Sequence, residues 1–207
     1  MKATHPWQSI SNRLTERCVI NPIWSSILLM KISNRIQLSV PEISLIASSI
    51  LARKPCNFLV FGMGNDSLFW KFLNRGGQTL FLEDNPHWYQ RISQKHPHLN
   101  AHLVQYNTKR SQWKDLLSKP ADLGFPLPQE VEEIPWDVIL VDAPNGWRND
   151  QPGRMKSIYH ASKLIRPGGD VFVHDCNRTI ERIYSSTFLG NENLVASIGR
   201  LRMFCIG

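Results

Sequence analysis

Long hydrophobic runs are missing from this chain of 207 residues. Its hydrophobic fraction of 42% is ordinary for a globular protein, but no stretch reaches the roughly 18 apolar residues of a membrane-spanning helix. The segment Ile20–Ile32 comes nearest, and Asn21, Pro22 and Lys31 interrupt it. The amino terminus also lacks the charged-then-apolar pattern of an export signal. We therefore expect one globular domain with no membrane span.

Cysteine is scarce and scattered. The four cysteines, Cys18, Cys56, Cys176 and Cys205, include no CxxC pair, which argues against a zinc knuckle. We expect free, mostly buried thiols, as in proteins of a reducing compartment. Together with the missing export signal, this predicts a cytoplasmic protein.

Acidic residues are fewer than basic ones. The chain has 17 Asp and Glu against 24 Lys and Arg, a net charge of +7. Such a surplus attracts polyanions such as nucleic acid, acidic lipid or a polysaccharide that carries uronic acids. The positive surplus could equally serve solubility, without any binding partner. No run of five basic residues forms a tail, and no repeat or low-complexity segment is present.

Residues 57–83 carry the most informative pattern. The apolar run Asn57–Phe61 predicts a buried parallel strand, followed by a glycine-bearing turn, a short helix and a second strand over 78–82. Glycines let a ligand approach the backbone, and Glu83, 21 positions after Gly62, can take both hydroxyls of a ribose. The third glycine of the dinucleotide fingerprint is replaced by Ser67, so the pattern favours S-adenosylmethionine over NAD. An ordinary βαβ unit with a tight turn is the alternative.

The remaining chain alternates predicted strands and helices. A helix starts near Ser39, strands are predicted over 101–106, 136–141 and 170–174, and a helix over 152–165. A proline-rich connection fills 118–135, and the last two apolar runs, 194–198 and 201–206, predict a hairpin. This order predicts an α/β fold: a doubly wound, Rossmann-like methyltransferase sheet whose last strand is antiparallel. Residues 39–207 form that domain, and residues 1–38 an extension or lid.

Polar residues stand at the carboxyl ends of the predicted strands. In a parallel sheet these ends share one edge, so the side chains converge on one cleft. The predicted cofactor-binding residues are Gly62, Met63, Gly64, Asp66, Ser67, Glu83, Asp84 and, after the third strand, Asn107. The predicted catalytic residues are Asp142, His174 and Asp175. Taken alone, each aspartate could instead be a helix cap, and His174 could be a packed, hydrogen-bonded structural residue.

Methyl transfer to a hydroxyl requires alignment of the acceptor oxygen and removal or polarisation of its proton. Asp142, His174 and Asp175 are the candidate bases, and a neutral imidazole sits nearest the operating pH. We expect Asp142 to be indispensable, His174 to contribute, and Asp175 to orient the imidazole or the substrate. Asp142, Asp175 and Asn177 also suit a hard divalent ion, as in catechol-type methyltransferases. Because Cys176 interrupts the Asp-Asn pair of those enzymes, no metal is expected.

Two arginines follow the strand ends. Arg154 lies beyond the fourth strand and Arg178 beyond the fifth, next to Asn177. A guanidinium binds a carboxylate with two parallel hydrogen bonds. Arg154 and Arg178, together with Asn177, are therefore predicted to bind an acidic substrate. Solvated surface charge is the alternative.

Several ordered motifs resemble the plant polysaccharide-biosynthesis family that contains the glucuronoxylan 4-O-methyltransferases. The segments that carry the resemblance are Cys56–Gly64, Asp66–Leu68 with Trp70, Gly77 with Thr79–Glu83, Val141–Pro144, Pro152–Met155, Val171–Asp175 with Asn177 and Arg178, and Gly199–Arg202. The resemblance runs from about Ser39 to the end of the chain.

The resemblance implies S-adenosylmethionine-dependent methyl transfer to the 4-hydroxyl of a glucuronic acid side chain on a glycan. The plant proteins carry a histidine where Asn65 stands and begin with a Golgi membrane anchor that this sequence lacks. These differences favour a soluble homologue, for instance a bacterial one, and leave the acceptor open.

Three other functions compete with this expectation. A metal-dependent small-molecule O-methyltransferase would use the cluster of Asp142, Asp175 and Asn177. Nucleic-acid methylation would suit the positive charge, but the segment 142–145 (DAPN) lacks the Asn/Asp-Pro-Pro-aromatic motif of amino-methylating enzymes. A non-catalytic scaffold in polysaccharide biosynthesis would keep the fold without turnover.

Overall fold

The computed structural model of the protein describes residues 27, 31 and 36–207. Seven strands form one sheet. They are β1 (Asn57–Phe61), β2 (Gln78–Glu83), β3 (Asn100–Leu103), β4 (Trp136–Val141), β5 (Ile165–Val173), β6 (Leu194–Ile198) and β7 (Leu201–Cys205).

Helices occupy most of the connections between the strands. They are α1 (Val40–Arg53), α2 (Ser67–Leu73), α3 (Pro86–Lys95), α4 (Trp113–Ser118), α5 (Gln129–Glu133), α6 (Met155–Leu164) and α7 (Thr179–Leu189). Short 3₁₀ turns lie at Arg110–Gln112, Pro120–Leu123 and Asn191–Asn193. None of the helices in the described ranges has the length and apolarity that a bilayer crossing requires.

The strand order is β3-β2-β1-β4-β5-β7-β6. Strands β1 to β5 run parallel, whereas β7 is antiparallel to both β5 and β6. The chain therefore winds outward from β1 to β3, returns to the centre at β4 and winds the other way. Ligands bind at such a reversal, outside the carboxyl ends of the strands. The predicted doubly wound α/β sheet with its terminal antiparallel hairpin is confirmed.

Both faces of the sheet are buried at its central strands, including β1 and β4, whereas the edge strands β3 and β6 are partly exposed. Leu59 and Phe61 of β1 point to one apolar cluster together with Ile139 of β4. Phe58 and Val60, the alternate residues of β1, pack on the other face against α1. A strand buried on both faces is mostly apolar, which is why β1 after Asn57 and β4 after Asp137 are continuous hydrophobic runs.

The structure corrects three predicted boundaries. The third strand ends at Leu103 instead of Tyr106, and the 118–135 connection contains α5 and a 3₁₀ turn. The Pro167-Gly168-Gly169 segment does not follow the helix but lies inside β5, where the register with β4 shifts. Gly168 has φ 78°, and its N–H donates to the carbonyl of Ile206 (2.6 Å), so the glycine holds an irregular strand. The predicted lid, residues 1–38, lies outside the described residues except for positions 27, 31 and 36–38.

Candidate functional site

A cleft of about 810 Å³ opens at the carboxyl edge of the sheet. Its walls come from the ends of β1, β2 and β4, from the start of α3, and from the segment 36–37 that precedes α1. The cleft lies at the reversal of strand order, which is where the topology predicts a ligand site.

The turn after β1 forms the floor of the cleft. Gly62 has φ 118°, and a Cβ on it would lie 3.1 Å from the Cβ of Ala143, so only glycine fits where β1 meets the end of β4. The backbone N–H of Gly64 donates to Ser67 Oγ (2.8 Å). Ser67 is buried and holds the turn closed at the start of α2.

Glu83 ends β2 and braces this turn. One carboxylate oxygen accepts from the backbone N–H of Met63 (2.7 Å), and the other from that of Asn85 (2.9 Å). Burial raises the pKa of Glu83 to about 7, even though these hydrogen bonds favour the charged form. Each carboxylate oxygen can accept a second hydrogen bond, so the group retains acceptor capacity toward the cleft.

The cleft carries further carboxyl groups. Burial and the charge of Asp142 raise the pKa of Asp66 to about 6, although the indole N–H of Trp70 donates to Asp66 Oδ2 (3.0 Å). Burial also raises the pKa of Asp84. The four acids Asp66, Glu83, Asp84 and Asp142 line the cleft together with Arg91, Lys95 and Arg154, so carboxyl groups outnumber cationic side chains there by one.

Asp142 and His174 are hydrogen-bonded at neighbouring strand ends. The His174 Nδ1 lies 2.8 Å from Asp142 Oδ1, and because a carboxylate only accepts, Nδ1 carries the proton. The Asp142 side chain is 25% exposed, whereas that of His174 is 0% exposed and lies behind it. Burial alone would raise the pKa of Asp142, but the Arg154 guanidinium and the His174 hydrogen bond outweigh it and hold that pKa below its ordinary value. Asp142 is therefore the ionised group that a cleft ligand meets.

Asp175 sits among three arginines. Its carboxylate lies 2.7 Å from Arg154, 3.0 Å from Arg178 and 3.0 Å from Arg200. The residue is buried and adopts φ 61°, a backbone conformation that is uncommon outside glycine. Asp175 thus organises the guanidinium groups and does not face the cleft.

Arg154 bridges the two aspartates. Its Nη2 donates to Asp142 Oδ1 (2.9 Å) and to the Asp142 carbonyl (2.7 Å), and it also contacts Asp175. Ligand atoms of Asp142, His174 and Asp175 lie within 4.8 Å of one another, a spacing that could hold a metal ion. The guanidinium of Arg154 occupies the space between the two carboxylates. Its Nε and Nη1 have no hydrogen-bond partner among the described residues.

The cleft brings together eight of the predicted site residues: Gly62, Met63, Gly64, Asp66, Glu83, Asp84, Asp142 and Arg154. The others stand outside its lining. Ser67, His174 and Asp175 are buried behind it, and Asn107 and Asn177 are exposed elsewhere. Arg178 stacks on Trp147, with its guanidinium carbon 4.0 Å from the ring centroid.

Trp88, Trp147 and Glu42 are among the residues at the site that the sequence prediction did not include. Trp88 and Trp147 line the cleft, and the indole N–H of Trp88 donates to the Met63 carbonyl. Glu42 lies behind the cleft, with Oε1 3.7 Å from His174 Nε2. Trp147 could have been found from the sequence, because it is a large aromatic residue in the polar loop that follows β4. Glu42 gave only the signal of a helix start, a role it also fills by accepting from the Ser39 N–H (2.6 Å).

The family model described as IRX15/IRX15L/GXM matches residues 41–125 and 122–204. Glucuronoxylan 4-O-methyltransferase 2 of Arabidopsis thaliana is 41% identical over 191 residues, which cover 82% of this chain and 66% of that protein. Arabinogalactan O-methyltransferase 2 of the same plant is 41% identical over 193 residues, covering 81% and 66%. Protein IRX15-LIKE, also from Arabidopsis thaliana, is 40% identical over 177 residues, covering 72% and 56%. The chain therefore spans about two thirds or less of the length of these three relatives.

Proposed function

The chain belongs to the IRX15/IRX15L/GXM family, and from this premise we propose that it is an S-adenosylmethionine-dependent O-methyltransferase. Its acceptor is a hydroxyl, O-4, of a glucuronic acid residue in a glycan or its precursor. One observation carries the proposal: the ionised, partly exposed Asp142 faces the same cleft as the glycine turn and Glu83. A cofactor cradle and a hydroxyl-activating group thus share one space.

The residues of the cleft fit the cofactor. S-adenosylmethionine, when bound, supplies an electrophilic methyl group on a sulfonium. Gly62, Met63 and Gly64 would hold its amino-acid end, and Glu83 and Asp84 the ribose hydroxyls. The sulfonium and ammonium charges would lie near carboxyl groups of the cleft, which include Asp66.

Asp142 takes the hydroxyl proton in this proposal. Its Oδ1 already accepts from Arg154 and His174, so Oδ2 is the oxygen that an acceptor hydroxyl meets. As the acceptor oxygen would bond to the methyl carbon, the carbon–sulfur bond would break and S-adenosylhomocysteine would leave. The acceptor oxygen would gain positive charge, so its proton would become far more acidic. A weakly basic carboxylate is therefore sufficient. His174 is a positioning residue, because it is buried and acts through its hydrogen bond to Asp142.

In this proposal, Arg154 binds the carboxylate of the acceptor sugar. Arg154 lines the cleft, and its Nε and Nη1 have no hydrogen-bond partner in the part of the chain that the structure describes. These two N–H groups are buried and point to different sides of the guanidinium, so the carboxylate is assigned to Arg154 for its positive charge beside Asp142. Arg178 supports the same region from behind Trp147. Asn177 is exposed and has a weaker case for substrate binding.

A metal-dependent small-molecule O-methyltransferase is the second candidate, and the grouping of Asp142, His174 and Asp175 favours it. Against it stands Arg154, which a divalent ion would have to displace. Chelation followed by titration with Mg²⁺, Mn²⁺ or Co²⁺ separates the two. Methyl transfer that survives chelation supports Arg154 as the resident cation, whereas transfer that depends on an added ion supports the metal site.

A non-catalytic role in polysaccharide biosynthesis is the third candidate. It draws on Protein IRX15-LIKE, a relative whose name states no activity. The decisive experiment incubates the protein with methyl-labelled S-adenosylmethionine and a panel of uronic-acid oligosaccharides, neutral oligosaccharides, catechols and RNA. The proposal expects label in the uronic-acid oligosaccharides alone. Label in catechol or RNA, or in no acceptor, would overturn it.

A further inference from the structure

Trp147 stands at the mouth of the cleft on a braced loop. Its side chain is 61% exposed, and it lines the cleft together with Asp142 and Arg154. The Gln151 side chain accepts from the backbone N–H groups of Trp147 (2.7 Å) and Arg148 (3.0 Å). The hydrogen bonds to Gln151 hold the loop in place, so the exposed indole is presented to the cleft in a fixed position.

One face of the indole is already covered by a cation. The Arg178 guanidinium carbon lies 4.0 Å from the ring centroid, and its Nη2 is held by Asp175 at 3.0 Å. The guanidinium fixes the plane of the indole, and the exposed fraction leaves the rest of the ring accessible. Trp88, the other tryptophan of the cleft, is instead hydrogen-bonded to the turn after β1, because its indole N–H donates to the Met63 carbonyl.

A fixed indole with an accessible face suits a sugar ring. The C–H groups of a pyranose lie together on one face of the ring and carry partial positive charge, which the negative face of an aromatic attracts. The structure assigns Trp147 as the platform on which a pyranose ring of the acceptor stacks. This inference rests on the proposed function, since Trp147 would bind the acceptor glycan beside Asp142.

The test compares three variants with the parent protein. Trp147→Ala removes the platform, Trp147→Phe keeps an aromatic face, and Phe72→Ala removes an exposed aromatic (69%) that is not part of the cleft lining. The measurements are calorimetric binding of a glucuronic-acid-bearing xylo-oligosaccharide, the KM and kcat for that acceptor, and the Kd for S-adenosylmethionine. Both substituted side chains, Trp147 and Phe72, are largely exposed, so we expect all three variants to fold.

We expect Trp147→Ala to weaken acceptor binding and raise its KM about tenfold, the equivalent of about 1.4 kcal/mol. Its cofactor Kd and kcat stay near those of the parent. Trp147→Phe recovers most of the affinity, and Phe72→Ala matches the parent. Unchanged acceptor binding by Trp147→Ala would overturn the platform.

The binding measurement separates this inference from the proposed function. If the parent binds the oligosaccharide but transfers no methyl, the function fails, and loss of binding in Trp147→Ala still supports the platform. If the parent methylates the oligosaccharide and Trp147→Ala does so with an unchanged KM, only the platform fails. A parent that binds no oligosaccharide refutes both.

Discussion

Asp142 is the residue on which the proposed chemistry depends. Asp142→Asn keeps the shape and the hydrogen bond from His174 but removes the charge that accepts a proton. We expect turnover to fall roughly 10²–10⁴-fold at saturating substrates. The Kd for S-adenosylmethionine, measured by calorimetry, serves as the control for folding. A folded, cofactor-binding Asp142→Asn protein with turnover within a few-fold of the parent would refute the assignment.

The lowered pKa of Asp142 has its own consequence for the rate. Because Arg154 and His174 keep the carboxylate ionised, kcat at saturating cofactor should stay level as the pH falls from about 8 to about 5.5. A histidine acting directly as the base would instead lose activity near its own titration. A kcat that falls over this pH range in the parent, and no longer does so in His174→Asn, would contradict the role given to Asp142.

The raised pKa of Glu83 predicts that cofactor binding depends on pH. The pKa of about 7 belongs to the ligand-free carboxyl, and ribose hydroxyls that donate to it favour its charged form. Binding should therefore release a proton below about pH 7, and the Kd should rise up to about tenfold as the pH falls from about 8 to about 6.

Two variants identify the group responsible for that dependence. Glu83→Gln should bind the cofactor more weakly and with a flatter pH profile. Asp66→Asn tests the other carboxyl that titrates nearby, at about 6. An unaltered pH profile in Glu83→Gln would remove Glu83 from the ribose role.

At the scale of elements, Glu42 ties α1 to the terminal hairpin. One carboxylate oxygen accepts from the Ser39 N–H (2.6 Å) and the other from the Arg200 N–H (2.7 Å). Burial would raise the pKa of Glu42, but these hydrogen bonds outweigh it and lower it. The group therefore stabilises the fold above its unfolded-state pKa of about 4.5, and this contribution is lost as the pH falls through the lower folded-state value.

Glu42→Gln should lower the free energy of unfolding by about 2 kcal/mol and the Tm by about 4–8 °C at neutral pH. The difference from the parent should shrink below about pH 4.5. Glu132→Gln, a change of an exposed glutamate on α5, is the control and should leave Tm unchanged. An equal Tm for the Glu42→Gln and parent proteins in thermal unfolding at neutral pH would show that this link does not stabilise the fold.

Local patterns predicted the elements that build the sheet. The positions of β1 and β4 follow from their apolar runs, 58–61 and 138–141, and the ends of these strands mark the cleft. The arginine cluster on Asp175 could not be predicted, because Arg154, Arg178 and Arg200 come from three separate connections. The stacking of Arg178 on Trp147 likewise depends on tertiary contact. Sequence could therefore place Asp142 in the cleft but could not tell that His174 lies behind it.

For the whole molecule, the basic surplus lies mainly outside the cleft. The chain carries a net charge of +7, whereas the cleft is lined by four carboxyl groups and by Arg91, Lys95 and Arg154. The basic surplus should therefore attract a polyanionic acceptor over a long range, and salt should screen that attraction. We expect the KM for a uronic-acid polysaccharide to rise several-fold between about 50 mM and about 300 mM NaCl.

A carboxyl-reduced form of the same polysaccharide is the control for that prediction. It should have a higher KM at low salt and little response to added salt. Equal salt responses of the two polymers would show that the surface charge does not recruit the acceptor. Equal efficiency toward both at all salt concentrations would also remove the carboxylate role of Arg154.

The most direct measurement follows an isotopically labelled methyl group from S-adenosylmethionine into a glucuronic-acid-bearing xylo-oligosaccharide and locates it by NMR. The account predicts one labelled ether methyl on O-4 of the glucuronic acid, formed by the parent and almost absent with Asp142→Asn. A label on the carboxylate as a methyl ester, or no label in any glycan from a protein that binds the cofactor, would contradict it.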